Sequence, residues 1–293
     1  MSQLDQYSLW TALVTPFDEQ GAIDFVSMQA LIEKQQAAGN AILILGSTGE
    51  ALALSSDEKK QVVQFVSSLQ LSIPVMVGVG GFRLPDQLEW IEFCQQQNNI
   101  SCLLLVTPLY AKPAAKGQII WFQTLLDKAQ LSCMLYNIPS RTGVSLSPQV
   151  LTELKDHPNL WAIKEASGSL DDFHSYQSAA PNLAFYSGND DLIPMGSQGL
   201  VSVVANVWPE ATKLYVAKNL AGQRDPSFSV WRDACQALFQ VSNPIPVKTL
   251  LHKKQWIKSP TLRPPLTHED IQDIEQLLKM DQAIENWFNQ NKE

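Results

Sequence analysis

The segment AILILGSTGE, residues 41–50, decides the fold class, because an apolar run ends there in a cluster of small and hydroxyl residues. Unbroken apolar runs of this kind are typical of a parallel strand that is buried on both faces. Comparable runs recur along the chain, at residues 9–15, 75–79, 102–106, 133–136, 160–164, 183–187 and 200–205. The sequence therefore predicts eight buried parallel strands.

Helical patterns with readable start and stop signals separate most of these runs. Asp24 precedes a helical stretch that ends at Gly39, and Ser55 forms a capping box with Glu58. Ser147, which precedes a proline, marks another helix start. Strands that alternate with helices are typical of both barrels and open sheets.

The number of runs and their regular spacing predict an α/β fold, a (β/α)₈ TIM barrel over residues 1–206. A doubly wound sheet is the alternative, since it has the same alternation of elements. Residues 207–293 contain no convincing strand and predict a C-terminal helical region. Within it, the apolar face from Thr267 to Trp287 predicts a single helix that starts at a Thr267 cap.

Charge and composition exclude several classes of protein. The chain has 21 basic and 29 acidic residues, so its net charge of −8 disfavours nucleic acid and anionic membrane surfaces as partners. No apolar run approaches the roughly 20 residues that span a bilayer. The four cysteines form no CxxC pair, and no basic residue precedes Lys34, which argues against a signal peptide. These observations predict a reduced, soluble, cytoplasmic protein.

Polar residues concentrate where the predicted strands end, which is the end of a barrel that carries the active site. Lys164 closes the apolar run 160–163, and burial at such a rim lowers the pKa of a lysine. A neutral amine can attack a carbonyl carbon and form a Schiff base. The alternative is a strand-end lysine that pairs with a carboxylate such as Glu165.

Other strand-end residues suggest supporting roles, each with a purely structural alternative. Tyr136 and Tyr110 could transfer protons, although buried tyrosines with a satisfied hydroxyl are common. The hydroxyls of Ser47 and Thr48 could face a carboxylate, although Gly-Ser-Thr-Gly is also an ordinary turn sequence. The planar guanidinium of Arg141 suits a substrate carboxylate, although loop arginines usually lie in solvent.

Cofactor and metal motifs are missing from the sequence. The stretch Gly78-Val79-Gly80-Gly81 would need a glycine at position 83 to complete a dinucleotide fingerprint, and that residue is Arg83. The four histidines show no ligand spacing, and Asp190 with Asp191 is predicted to cap a short helix before Gly196. We therefore predict no metal site, and lysine chemistry is favoured over metal-dependent aldol chemistry. A basic set is predicted to form a solvated face: Lys248, Lys253, Lys254, Lys258 and Arg263.

Seven collinear motifs carry a resemblance that extends over nearly the whole chain. They are GSTGE (46–50), TPLY (107–110), YNIPSRTG (136–143), IKEASG (163–168), SGND (187–190), NPIPVK (243–248) and TLRPPLT (261–267). In this order they resemble the pyruvate-dependent class I aldolase family, which includes dihydrodipicolinate synthases and N-acetylneuraminate lyases. YNIPSRTG and NPIPVK are most similar to the synthase branch.

The resemblance implies a reaction without a cofactor. Pyruvate would condense with Lys164, and the resulting enamine would attack the aldehyde of L-aspartate 4-semialdehyde. The product would be 4-hydroxy-tetrahydrodipicolinate, on the route to lysine and diaminopimelate. Tyr136 would act as general acid and base, and Ser47 and Tyr110 would complete a proton relay.

The resemblance also implies binding residues and an assembly. Thr48, Gly188 and main-chain groups near Val201 would bind pyruvate, and Arg141 would hold the carboxylate of the semialdehyde. In this family the tyrosine that corresponds to Tyr110 reaches across a subunit interface. A homo-oligomer, most simply a dimer of dimers, is therefore expected.

Two departures from the synthase pattern qualify these expectations. Ser47 replaces the threonine that is usual in the synthases and matches the lyases. The alternative is therefore an N-acetylneuraminate lyase or another 2-keto-3-deoxy acid aldolase that releases pyruvate. Arg141 favours the synthase over this alternative. A non-catalytic sensor of keto acids is a third hypothesis. Where relatives inhibited by lysine carry polar partners for it, this chain has Ser56, Lys59, Phe82 and Leu109, which predicts weak or absent inhibition by lysine.

Overall fold

The structure, a computed structural model that describes residues 3–223 and 228–292, contains a closed barrel of eight parallel strands in sequential order. Strand β8 pairs with β1, which confirms the predicted barrel and is incompatible with an open, doubly wound sheet. The strands are β1 (Leu9–Ala12), β2 (Ala41–Ile44), β3 (Val75–Val79), β4 (Ile100–Val106), β5 (Ser132–Asn137), β6 (Leu160–Glu165), β7 (Ala184–Ser187) and β8 (Gly199–Ser202).

Helices follow the strands, and the first two begin at the predicted signals. The Asp24 side chain accepts hydrogen bonds from two amides of the first turn of α1, and that helix ends at Gly39, whose φ is 68°. Ser55 and Glu58 form the complete capping box of α2. The helices are α1 (Phe25–Ala38), α2 (Ser56–Ser68), α3 (Leu84–Gln95), α4 (Ala115–Lys128), α5 (Pro139–Thr142), α6 (Pro148–Leu154), α7 (Leu170–Ala179), α8 (Pro209–Leu220), α9 (Ser229–Leu238), α10 (Ile245–Lys253) and α11 (Ile274–Asn291).

Alternation along the strands divides the core into two layers. One set of side chains fills the barrel, including Trp10, Met76 and Tyr186. The other set points outward and packs against the helices, including Ile42 and Phe185. All four cysteines are buried and free.

The C-terminal region is helical, as predicted, but its last helix is shorter than expected. Thr267 caps only a short 3₁₀ turn, His268–Asp270, and α11 starts at Ile274. The side chain of Asp273 accepts a hydrogen bond from the amide of Gln276 and provides the actual start. The prediction of one helix from Thr267 is therefore wrong, because the backbone becomes extended at Ile271 (ψ 130°) and a new helix starts at the Asp273 cap.

The position of α8 bears on where the barrel ends. Helix α8 packs against α1, β1 and β8, as an eighth outer helix of the barrel does, whereas α9, α10 and α11 pack on one another. The division between residues 206 and 207 stays a prediction. Among the described residues, no helix has the length and apolar character needed to cross a membrane.

Candidate active site

Lys164 lies near the carboxyl end of β6 and points into the barrel, with only 4% of its surface exposed. The next residue, Glu165, faces the opposite side of the sheet, because neighbouring strand residues alternate. There its carboxylate accepts hydrogen bonds from Asn137 Nδ2 (2.7 Å) and from the amide of Ser167 (2.6 Å). The alternative that Lys164 pairs with Glu165 is therefore wrong.

The electrostatic surroundings of Lys164 favour its neutral form. Among the described residues, no carboxylate lies within the 4.0 Å of an ion pair with Nζ. Burial lowers the pKa of Lys164 from 10.5 to about 7; the negative charge of Asp190 opposes this shift and the positive charge of Arg141 adds to it. A substantial fraction of the amine is therefore unprotonated near neutral pH and can act as a nucleophile.

Tyr136 is the neighbour of Lys164 in the adjacent strand. The two residues are in register between β5 and β6, and Lys164 Nζ lies 4.2 Å from the centroid of the tyrosine ring. Burial raises the pKa of Tyr136, and the carboxylates of Glu165 and Asp190 raise it further against the opposing effect of Arg141. The phenol therefore stays protonated and can donate a proton or a hydrogen bond beside the amine.

A cavity of about 510 Å³ opens at this end of the barrel and contains most of the predicted site. Lys164, Tyr136 and Arg141 line it together with Ser47, Thr48 and Gly188. The structure thus brings six of the eight predicted residues to one cavity.

The other two predicted residues lie outside this cavity in the single chain. Tyr110 is 90% exposed with a positive φ of 66°, and it lines a neighbouring groove that it shares with Ser47 and Arg141. Val201 is fully buried inside the barrel, and Val203, two residues later, lines the cavity instead.

Gly188 gives Lys164 the space that it occupies. A Cβ atom at position 188 would lie 2.6 Å from Ala166 Cβ and 2.9 Å from Lys164 Cε, closer than real Cβ atoms approach other atoms. The Gly188 amide also donates a hydrogen bond to the carbonyl of Glu165 (2.7 Å), which fixes this approach. The lysine side chain can therefore cross the end of β7 only because no side chain stands there.

The loop that carries Ser47 and Thr48 is fixed from outside the barrel. Glu50, at the end of this loop, is buried with a positive φ of 53°, and its carboxylate contacts Lys248 Nζ at 2.5 Å and the amide of Arg263 at 2.9 Å. Lys248 is completely buried on α10, so the prediction that the basic set forms a solvated face is wrong for this residue. Local sequence did not reveal the carboxylate that faces it.

Three other members of the basic set also have partners. Lys258 Nζ lies 3.6 Å from the carboxylate of Asp24, although the lysine itself is exposed. Arg263 Nη2 donates to Glu58 at 2.5 Å, and Lys254 Nζ contacts Asp281 at 2.6 Å. Both cations are partly shielded from solvent at their ion pairs. The Lys254 pair therefore lies within the C-terminal region, and the Arg263 pair connects that region to the barrel.

Asn243 is a cavity residue that the sequence analysis did not identify. Its Nδ2 donates to Thr48 Oγ1 (3.0 Å), and its main-chain carbonyl accepts from Arg141 Nη2 (3.1 Å). One residue thus connects the two sides of the cavity. Asn243 is the first residue of the motif NPIPVK, but nothing in that motif indicates a contact with Thr48.

Asp190 has a different role from the one predicted. It is 2% exposed, and residues 191–198 form no helix that it could cap. Its carboxylate instead accepts hydrogen bonds from Ser202 Oγ (2.5 Å) and from the amides of Val203 (3.0 Å) and Val204 (3.4 Å), after β8. Burial raises the pKa of Asp190 to about 6, although these donors and Lys164 favour its charged form.

Within the described part of the chain, no group of three or more histidine, cysteine, aspartate or glutamate side chains is arranged to hold a metal ion. The residues that line the cavity are instead those of carbonyl chemistry: an amine, a phenol, hydroxyls and a guanidinium. The fold and the cavity together define the class of the protein as a barrel enzyme with its site at the carboxyl ends of the strands.

Comparisons with known proteins agree with this class. The model of the dihydrodipicolinate synthetase family matches residues 6–284. The chain is 52% identical to a 4-hydroxy-tetrahydrodipicolinate synthase of Francisella tularensis subsp. novicida, covering 96% of this chain and 97% of that protein. It is 53% identical, over the same shares, to a protein of the same name from Francisella philomiragia.

A solved structure extends the comparison to the fold. The 4-hydroxy-tetrahydrodipicolinate synthase of Methylacidiphilum fumariolicum superposes with a TM-score of 0.90 at 26% identity, covering 98% of each chain. The chain belongs to the dihydrodipicolinate synthetase family.

Proposed function

We propose that this enzyme condenses pyruvate with L-aspartate 4-semialdehyde to give 4-hydroxy-tetrahydrodipicolinate, a step towards lysine and diaminopimelate. The observation that carries the proposal is a buried lysine that has no ion-pair partner among the described residues, in the cavity of a chain with this family membership. The reaction would take place in the cytoplasm, where the four free thiols stay reduced.

The first half of the reaction uses Lys164 and Tyr136. The neutral amine attacks C2 of pyruvate, the ketone oxygen leaves as water, and one proton is taken up, so that an iminium cation forms on Nζ. Tyr136, whose phenol is protonated in the resting enzyme, donates its proton during this dehydration and takes one up again afterwards. Thr48, Gly188 and main-chain groups near Val201 are assigned to pyruvate binding, and Thr48 is already held in place by Asn243.

The second half of the reaction uses Arg141. Loss of a proton from C3 of the bound pyruvate gives an enamine, which attacks the aldehyde carbon of the second substrate. The amino group of that substrate then attacks C2, displaces Lys164 and closes the ring. Arg141 lies at the cavity and is held by the carbonyl of Asn243, so its guanidinium can bind the carboxylate of the semialdehyde.

The exposed position of Tyr110 supports an assembled active enzyme. A tyrosine that is 90% exposed beside Ser47 and Arg141 is suited to reach a neighbouring copy of the chain. We propose that it completes a proton relay with Ser47 and Tyr136 of the partner subunit in a dimer of dimers. Sedimentation of the wild-type protein and Tyr110→Phe kinetics would test this, and a fully active monomer would contradict it.

Reductive trapping tests the chemistry at Lys164 directly. Borohydride added with pyruvate should attach a three-carbon fragment, and peptide mass mapping should place it on Lys164. Lys248 is the internal control, because it is equally buried but paired with Glu50. Modification at neither residue, or at Lys248 alone, would overturn the proposal.

The choice of second substrate is tested at Arg141. Arg141→Ala should lower kcat/KM for the semialdehyde by roughly 10- to 100-fold, as expected for a lost hydrogen bond to a charged group, while pyruvate trapping persists. Arg83, which is exposed and pairs with Asp86, is the matched control. Release of pyruvate from sialate or sugar acids at a higher rate than condensation would favour the lyase instead.

A further inference from the structure

Asp190 is a buried carboxylate that the proposed reaction does not use. It lines the same cavity as Lys164 but lies beyond ion-pair distance from Nζ. Its neighbour Asp191 also lines the cavity but is exposed, and Glu165 is on the outer face of the strand. Among the described residues that line the cavity, Asp190 is therefore the one buried acid.

The contacts of Asp190 favour its charged form. One oxygen accepts from Ser202 Oγ and the Val204 amide, and the other accepts from the Val203 amide. Hydrogen bonds from three donors stabilise a carboxylate more than a carboxylic acid. Asp190, which follows β7, thus presents a fixed negative charge to the cavity at neutral pH.

The other described groups around Asp190 supply no competing negative charge in the interior. Lys164 on β6 and Arg141 after β5 are the cations, and Arg141 is exposed to solvent. Tyr136 on β5, Tyr215 on α8 and Cys235 on α9 feel the charge of Asp190, and burial raises the pKa of each, so they remain neutral. Asp191 carries a further negative charge, but its side chain is exposed and water screens that charge.

We propose that Asp190 is the counterion of the iminium cation that forms on Lys164. This inference rests on the proposed function. Condensation of a neutral amine with a ketone takes up one proton and releases one water, so it creates a cation where the barrel had an uncharged nitrogen. A buried cation needs a nearby fixed charge, since water cannot solvate it there.

The carboxylate of pyruvate does not replace this charge, because it is assigned to the hydroxyl of Thr48, which follows β2, whereas Asp190 follows β7. The proposed reaction assigns Asp190 no contact with either substrate, so it is a positioning residue that acts through Lys164. Its removal should destabilise the iminium and the protonated amine by similar amounts. The effect on pyruvate capture therefore depends on whether the free amine is protonated.

The test is the pH dependence of reductive trapping. Cyanoborohydride, which reduces iminium ions from acid to mildly basic pH, is added with increasing pyruvate to the wild type and to Asp190→Asn. At pH 8.5, where the free amine is neutral, the variant should need about tenfold more pyruvate for half-maximal trapping, equivalent to a pKa change of about one unit. At pH 6 the two proteins should differ by less than about threefold.

Three variants separate charge from structure. Asp190→Glu keeps the charge and should restore the wild-type pH dependence in part. Asp191→Asn loses a charge one residue away in solvent and should shift the dependence much less. Ser202→Ala keeps the acid but removes a donor, so the pKa of Asp190 should rise and trapping should weaken at pH 7 but not at pH 8.5.

Each outcome has a separate meaning. A wild type that is not trapped refutes the proposed function itself. If the wild type is trapped but Asp190→Asn loses the same amount of trapping at every pH, only the counterion proposal is refuted. A loss that does not follow the ionisation of Lys164 indicates a structural defect. If Asp190→Asn does not fold, an unchanged pH dependence in Ser202→Ala refutes the counterion.

Discussion

Two lysines, Lys164 in the barrel and Lys248 in the C-terminal region, are both buried but have opposite surroundings. Lys248 is fully buried against Glu50 at 2.5 Å and donates to the carbonyl of Thr261 at 2.9 Å. Lys164 is 4% exposed, has no carboxylate of the described residues at ion-pair distance and borders a cavity. Burial lowers the pKa of both, to about 8 and about 7. Burial alone therefore does not identify a reactive lysine. The absence of a carboxylate partner among the described residues and the adjoining cavity distinguish Lys164 from Lys248.

The largest expected effect is the loss of activity when the unpaired lysine is replaced. Lys164→Met keeps the volume but removes the nucleophile, so condensation should fall by at least about 10³-fold. Because an unpaired buried amine opposes folding, the free energy of unfolding should stay equal or rise by about 1 kcal/mol. Steady-state kinetics and urea unfolding provide the two measurements. A variant that keeps a tenth of the activity would contradict the assignment.

Replacement of the paired lysine should have the reverse profile. Lys248→Met leaves the buried Glu50 carboxylate without its partner, and we expect a loss of about 3 kcal/mol in the free energy of unfolding. The loop that carries Thr48 should loosen, so the KM for pyruvate should rise more than kcat falls. The double variant Glu50→Gln, Lys248→Met is the control and should recover part of the stability. An unaltered unfolding midpoint for Lys248→Met would break the comparison.

The pH dependence of stability should distinguish Lys164 further. In the folded chain its pKa is about 7, whereas its ordinary value of 10.5 applies once the chain is unfolded. Between these values the unfolded state binds more protons, so this group makes the wild type more stable as pH rises. The stability advantage of Lys164→Met should therefore be largest below pH 7 and shrink towards pH 10. Parallel urea titrations would measure it, and a constant difference would contradict the lowered pKa.

The smallest expected effect concerns Lys59, a lysine near the surface. Its Nζ lies 5.5 Å from the centroid of the Trp90 ring, beside a small pocket that Leu109 also lines. A cation there repels a cationic effector, and the apolar side chains offer it no hydrogen bonds. We expect L-lysine to inhibit condensation weakly or not at all. Half-maximal inhibition at sub-millimolar lysine would contradict this.

The sequence was sufficient for features that depend on local periodicity. Unbroken apolar runs predict parallel strands, and residues at the carboxyl ends of such strands must meet in a closed barrel. Lys164, Tyr136 and Arg141 could therefore be assigned to one cavity before any contact was known. The alternation of β6 also explains why Glu165 is not the partner of Lys164, although the sequence analysis left that pairing open.

Features that depend on distant partners could not be predicted in this way. The Glu50–Lys248 contact joins residues 198 positions apart, and the Thr48–Asn243 contact joins residues 195 positions apart. Asp190 was assigned to a local cap because such caps are common, whereas its donors lie 12–14 residues further along the chain. Long-range polar pairs leave no periodic signal in a single sequence.

The double attachment of Asn243 has a consequence for redesign. Its side chain holds Thr48, which is assigned to pyruvate, and its main-chain carbonyl holds Arg141, which is assigned to the semialdehyde. An engineer who alters this asparagine to admit a different aldehyde would thereby disturb capture of the ketone as well. The choice of aldehyde substrate and the binding of pyruvate therefore cannot be altered independently through this residue.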